Sequence, residues 1–370
     1  MKIAIIGGGA AGMMAAASSI EANPSNQITI YDKNAKLGRK LVATGGGRCN
    51  ITTAITDINE LLKNYPRGSR WLKFAMHEFG PKQTFEWFEN HGIKLKTEGL
   101  RVFPASENGE DVVSMFLKII KNAGATIKYG TEIKNLKELD ADKIIITTGG
   151  KDGNGCKLAE SAGHKITPLA PTLTSFTAQL PKLSGVTIEN AKLKLFGHEF
   201  EGPFLFTHKG LTGPAVFAIS AFTAYENLEK GAQLSVDFVP NLNEEQLKDI
   251  IQKNPKQKLT KIFQSYIPKS LAKILAPDTN VNELSKKEIF NKIQHLKNHK
   301  FHITGRTPGR EIVTAGGVDL NEVDSQTMQS KIDPKLYFAG EVLDVDGLTG
   351  GFNLQNAWVT GRLAGMSAAI

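Results

Sequence analysis

The residues with the plainest chemical meaning lie near the two ends of the chain. Gly7, Gly9 and Gly12 form G-x-G-x-x-G within GGGAAG, directly after the apolar run KIAII. In that spacing the first glycine makes a tight turn and the second lets backbone approach a pyrophosphate. The third lets a helix pack on a strand. Ala10 and Ala11 complete this loop, and the helix after it turns its positive end to negative charge. Asp32 follows Gly12 by 20 positions, at the end of QITIYD, where a carboxylate can accept from a ribose diol. The strand before, the helix after and the acid downstream turn a weak motif into a dinucleotide site.

Asp32 suits the ribose of NAD or of FAD, and the other end of the chain decides for FAD. The run LYFAGE ends in Gly340 and Glu341, placed to hold a ribityl-phosphate region, and Asp344 follows as a further cofactor-binding candidate. The turn Gly350, Gly351, Phe352, Asn353 presents backbone N–H groups at a helix start. Those groups would stabilise negative charge on a reduced flavin pyrimidine. Between the ends, LVATGGGRCNIT follows a short basic link that contains Lys33, Arg39 and Lys40. Thr44, Gly45, Gly46 and Gly47 allow backbone to lie flat against a tricyclic ring. Arg48 can offset the charge of pyrophosphate or reduced flavin, and Asn50 can bond a ring edge. Cys49 is either a small packing residue or a reactive thiol. Thr148 and Gly149 end a buried strand and close over the cofactor. Ile133 either offers backbone to adenine or simply packs. His208, on a loop rich in glycine and proline, is a weak catalytic candidate beside Cys49 and Asn50. No metal site is expected.

These residues need elements to position them. Residues 2–6 and 27–32 read as strands and 13–20 as a helix, a β-α-β unit of about thirty residues. Helices are expected over 69–79, 81–90 and 110–122, the last capped by Asn108, with a hairpin over 95–103. Strands are expected over 126–133, 143–147 and 335–339, and a final helix over 353–369. Residues 163–240 alternate as antiparallel strands with glycine turns, and 241–302 read as helices. The domain expectation is therefore a nucleotide domain over 1–162, an inserted β domain over 163–240, a helical domain over 241–303, and completion of the first domain by 304–370.

Composition narrows the function classes. The two cysteines form no CxxC and no disulfide framework, which suits a reducing, cytoplasmic protein. No second complete G-x-G-x-x-G exists, which argues against a two-dinucleotide disulfide reductase; NAD(P)H would bind only transiently. The opening run is not a signal peptide, since its glycines sit at motif offsets, and no stretch has the length of a membrane span. The formal charge is +8, and residues 241–301 hold 12 lysines, no arginine and 6 acids. A solvated face explains such a run; an anionic partner, nucleic acid included, is the sharper alternative. The oligomeric state is not encoded in any feature of the sequence.

Taken together, GGGAAG, GRKLVATGGGRCNIT, RVFP, LFTHKGLTGPA, VTAGGVDL and YFAGEVLDVDGLTGGFNLQNAWVTGRLAG resemble the BaiN-like bacterial flavoproteins. That group is labelled NAD(P)/FAD-dependent oxidoreductases and, for some members, aminoacetone oxidases. The resemblance spans nearly the whole chain. It implies an α/β fold with a Rossmann-like, glutathione-reductase-like FAD-binding domain, interrupted by an antiparallel β insertion and a small helical domain. It also implies FAD held by the glycine loop, Asp32, Arg39 and Lys40, the GGGRCN loop and the C-terminal glycine turn. The pattern is shortened at residues 134–142 and at KDGNG (151–155), both near where FAD would run. The function implied is FAD-dependent oxidation or reduction of a small molecule by hydride transfer through flavin N5. A flavin-dependent RNA-modifying enzyme that uses the lysine-rich segment is the alternative, and a non-catalytic FAD scaffold is a third reading.

Overall fold

The computed structural model describes residues 1–228, 230–309 and 311–370. The chain forms two compact units, one from residues 1–170 and 313–370, the other from 171–312.

The first unit is built on a parallel five-stranded sheet. Its strands are β1 (Lys2–Ile6), β2 (Gln27–Tyr31), β3 (Thr126–Lys128), β4 (Lys143–Ile146) and β5 (Leu336–Phe338), in spatial order β5-β4-β1-β2-β3. Ile3 pairs with Ile28 and with Lys143, and Phe338 pairs with Ile146. The central runs KIAII and KIII are apolar at successive positions because both faces of such a sheet are covered. Covering helices include α1 (Ala10–Ala22), α2 (Gly109–Asn122) and α3 (Phe352–Ala368). Asn108 caps α2 by accepting from the Glu110 N–H (3.1 Å).

Helices α1 and α3 meet at backbone distance. A Cβ on Gly361 would lie 2.5 Å from the Ala11 carbonyl oxygen, and one on Gly365 would lie 2.3 Å from that of Ala15. This contact explains why α1 reads AAGMMAAASS, with small residues on all sides and no polar stripe. Ser19 Oγ donates to the Gly365 carbonyl (2.8 Å), and Arg362 closes the seam on Glu21 (2.8 Å). The two ends of the polypeptide are thus one packed layer. Strand β3 is shorter than expected, since Gly130 turns the chain at positive φ and the Thr131 N–H donates to the Asp32 carbonyl.

The second unit is a closed antiparallel barrel of Thr187–Leu195, His198–Phe206, Gly210–Thr212, Phe176–Ala178, His299–Arg306 and Ala232–Asp237. Closure leaves none of these strands an unpaired edge. Two expectations are corrected here. Pro214–Phe222 is a helix inside the region read as β; its run AVFAISAF is apolar all round, so no period marked it. His299–Arg306 is a strand that closes the barrel, so the helical segment stops at Lys297. Barrel and helices also share one apolar core, from Phe204, Phe206 and Phe301 to Leu259, Leu271 and Ile293. They are one unit rather than the two domains expected, with bounds at 171 and 312 instead of 163 and 303. Among the described residues, no helix is long and apolar enough to cross a membrane.

Candidate functional site

The candidate residues gather at the carboxyl ends of the parallel strands. Gly7 follows β1, Asp32 follows β2, Thr147 and Thr148 follow β4, and Gly340 and Glu341 follow β5. The chain fills the sheet outward from β1 in one direction and then in the other, so a crevice opens beyond β1 and β4, where such sheets bind ligands. Gly7, Asp32, Lys33, Ile133, Thr148 and Asn154 line one cavity there.

The glycine loop divides its labour as the spacing requires. Gly7 has φ +104°, and a Cβ there would lie 2.6 Å from the Thr147 carbonyl oxygen. A Cβ on Gly12 would lie 1.9 Å from the Gly7 carbonyl oxygen. Gly9 differs: an added Cβ would meet nothing within 4 Å. It is the N-cap of α1, so the N–H groups of the turn after it have no intrahelical partners. Asp32 is buried and accepts from the Gly8 N–H (2.7 Å) and from the Asn34 N–H (2.7 Å). The Asn34 side-chain amide donates to it as well (2.9 Å), and three bonds still leave the carboxylate acceptor capacity for a diol. Ile133 offers its carbonyl to the Asn154 side-chain amide. Thr148 Oγ1 is buried with no hydrogen-bond partner among the described residues.

The basic link has mixed roles. Lys33 Nζ donates to the Asp152 carbonyl (2.5 Å), and Arg39 donates to Asn34 Oδ1 (2.7 Å). Lys40 pairs with Glu341 (3.2 Å), whose other carboxylate oxygen accepts from the Thr314 N–H (3.0 Å). Gly149, at φ +83°, has only the ends of Glu341 and Lys40 near its Cβ position. Glu341 is therefore held in place from two sides at the end of β5.

The GGGRCN loop lies partly in the open. Thr44 Oγ1 donates to the Leu41 carbonyl (2.8 Å), and Gly45, Gly46 and Gly47 all have positive φ. Cβ atoms on Gly46 and Gly47 would meet nothing within 4 Å. Two expectations change at this loop. Arg48 stacks over Phe103 (4.0 Å) and pairs with Glu98 (2.9 Å), so its charge is already compensated within the protein. Asn50 does not present a free amide. Oriented to satisfy both ends, it donates to the carbonyls of Thr52 (3.1 Å) and Val102 (3.3 Å) and accepts from the Gly351 N–H (3.0 Å). It ties the loop to the start of α3. That leaves the N–H groups of Phe352 and Asn353 to serve a ligand at the helix start, with Gly351's already spent.

Cys49 is fully buried, and burial pushes its thiol up to about 12. The neutral form therefore prevails at every physiological pH, against the reactive-thiol reading. We expect no alkylation of Cys49 by iodoacetamide in the folded protein at neutral pH and full alkylation in denaturant, read by mass spectrometry of the peptide. His208 lies in the second unit, exposed on the turn between His198–Phe206 and Gly210–Thr212. It is not part of the strand-end constellation just described.

The glycine turn before α3 is fastened by several buried groups. Asn353 accepts from the Gly347 N–H (2.9 Å) and donates to the Gly347 carbonyl (2.7 Å). Tyr65 donates to the Phe352 carbonyl (2.8 Å). Gln355 accepts from Thr52 Oγ1 (2.6 Å), and Trp358 donates to the Ile51 carbonyl (2.8 Å). Sequence reasoning missed Tyr65, Gln355 and Trp358, as well as the buried bidentate pair of Arg67 with Asp346. Each joins positions 279 to 307 residues apart, and no spacing rule connects them. Asp344 keeps Oδ1 buried without a partner among the described residues.

The description of the HI0933-like protein Rossmann domain matches residues 1–367. The chain belongs to that family. It is 30% identical to the 3-dehydro-bile acid delta(4,6)-reductase of Clostridium scindens, over 100% of this chain and 99% of that one. It is also 30% identical to the ribosomal RNA dihydrouridine synthase of Haemophilus influenzae, over 98% of this chain and 97% of that one. The first comparison runs to 409 aligned positions against 370 residues here, so the family includes longer forms than this one. Among solved structures, the 3-ketosteroid delta1-dehydrogenase of Sterolibacterium denitrificans shares the fold, with TM-score 0.51 and 13% identity over 99% of both chains.

The residues in place suit FAD, which a Rossmann flavoenzyme fold implies. Open space above Gly9, Gly46 and Gly47, an unpartnered Thr148 hydroxyl and free N–H groups at two helix starts are what a long, doubly anchored dinucleotide needs.

Proposed function

We propose that this protein is an FAD-dependent oxidoreductase that reduces a carbon–carbon double bond conjugated to a carbonyl in a small organic molecule. One observation carries the reading: the phosphate-type glycine turn of α1 and the glycine turn of α3 belong to helices packed backbone to backbone. A mononucleotide would need only the first turn. The names of the two curated relatives support the chemistry. Saturation in a 3-dehydro-bile acid and conversion of uridine to dihydrouridine are both two-electron reductions of a double bond beside a carbonyl.

When bound, FAD supplies the hydride, at its N5, and the protein supplies position and charge. The N–H groups after Gly9 take the pyrophosphate, and Asp32 takes the ribose. Glu341, braced by Lys40 and Thr314, takes the ribityl hydroxyls. Gly46 and Gly47 leave a flat surface for the ring, and the N–H groups of Phe352 and Asn353 favour added negative charge there. Reduction by NAD(P)H needs no second fingerprint if the donor binds only transiently. A bacterial cytoplasm would supply that donor and keep both cysteines reduced.

The test is an absorbance spectrum of the purified protein, followed by anaerobic addition of NADH or NADPH and then of cyclic enones or a panel of amines. We expect a yellow protein that either nicotinamide bleaches and an enone restores. A preparation that takes up no FAD when supplied with it would end the reading.

A second reading places the double bond in a uracil of RNA. The second unit favours it with a cavity lined by Lys258, Lys261, Lys269 and Lys273.

A further inference from the structure

We propose that the lysine-lined cavity of the second unit holds adjacent phosphates of single-stranded RNA, with Tyr266 beside it as a stacking surface. The inference rests on the second reading above and gives its substrate a binding site.

The cavity is about 360 Å³, between the helices Leu259–Phe263 and Lys269–Leu275. Four exposed lysines line it. Lys258 is neutralised by Asp278 (2.7 Å), which also accepts from Thr260 Oγ1 (3.0 Å). Lys261, Lys269 and Lys273 have no ion pair and no side-chain hydrogen bond among the described residues. Their helices are fixed from below, since Leu259, Ile262, Phe263, Leu271 and Leu275 are buried in the unit's core. Three ammonium groups without an ion pair are thus held around one concavity, where Asp278, already paired with Lys258, is the carboxylate that also acts on Lys261. Their mutual repulsion opposes folding, and an anion with several charges would relieve it.

The cation type narrows the ligand. Lysine is a point charge that contacts phosphate without the bidentate fork that reads a base edge. Such a cavity grips a backbone without selecting sequence. Tyr266 is 41% exposed in the segment that joins the two helices, two positions after the cavity residue Gln264 and three before Lys269 in sequence. An aromatic ring beside a basic groove is how single strands are bound without sequence preference. That ring favours RNA over a free polyphosphate.

The test uses the flavin-loaded protein and a fluorescent RNA single strand of about ten nucleotides. Anisotropy is followed across a salt series for wild type, K261Q/K273Q and Y266A. Removing two phosphate contacts should make the slope of log affinity against log salt shallower by about 1.4. Y266A should bind about tenfold more weakly with an unchanged slope. Wild-type slope and affinity in both variants would overturn the proposal. So would a wild-type protein that binds inorganic pyrophosphate in this cavity and not RNA. Flavin absorbance of each preparation separates the two questions: lost RNA binding at full flavin content bears on this cavity alone, and a colourless wild type bears on the FAD reading.

Discussion

Gly9→Ala should leave the apoprotein within about 1 kcal/mol of wild type and weaken FAD binding roughly a hundredfold. Its φ of −77° is open to any residue, so the substitution adds no backbone strain. Its Cβ would point into space that no protein atom occupies within 4 Å. The fold has no need of glycine there, and only a ligand does. A methyl group in the path of a phosphate displaces it from the N–H groups of the first helical turn, at about 1.5–3 kcal/mol for each charge-assisted bond lost. Gly12→Ala is the contrast, because its Cβ would fall 1.9 Å from the Gly7 carbonyl and force helix from strand. That variant should lose both stability and FAD. Thermal melting of the two apoproteins and titration of each with FAD separate the cases. If Gly9→Ala binds FAD as tightly as wild type, no phosphate rests on this loop.

The contrast between Gly9 and Gly12 also shows what a sequence reveals. Both are legible because a phosphate turn needs fixed offsets within one β-α-β unit, and local geometry reports itself in local spacing. The sheet strands were legible for a similar reason, since burial on both faces leaves unbroken apolar runs. The barrel was harder to read. Its closing strand, His299–Arg306, shows its alternation only at Phe301 and Ile303 and directly follows a lysine-rich helix, so composition pointed the wrong way. At the site, the residue types were readable and their partners were not. Arg48 and Asn50 stand where a ligand-binding loop would put them, yet Glu98 and the Gly351 N–H claim them. Those partners come from other segments, and their approach depends on tertiary packing that no motif contains.

Arg67→Met should destabilise the protein by about 3–5 kcal/mol, and Arg67→Met/Asp346→Leu should recover most of that loss. Asp346 is wholly buried, and both its oxygens are engaged by the Arg67 guanidinium in a bidentate pair. Removing the arginine takes the counter-charge from a buried carboxylate, and the cost of desolvating that charge then opposes folding. Removing both charges abolishes that penalty and leaves apolar side chains among Tyr65, Val345 and Leu348, all buried nearby in sequence. The pair also has a positional role. Asp346 lies between Asp344 and the Gly347 turn that Asn353 fastens, and the Gly68 Cβ position lies 2.5 Å from the Val345 side chain. The salt bridge therefore anchors residues 65–68 against the strand exit that leads to α3. The double variant should melt near wild type and still release FAD more readily than wild type on dilution, since the anchor's direction is lost though its cost is gone. Urea melts and flavin release measured on the same three proteins check this. Equal instability of the single and double variants would show that packing at position 67, and not the stranded charge, sets the loss.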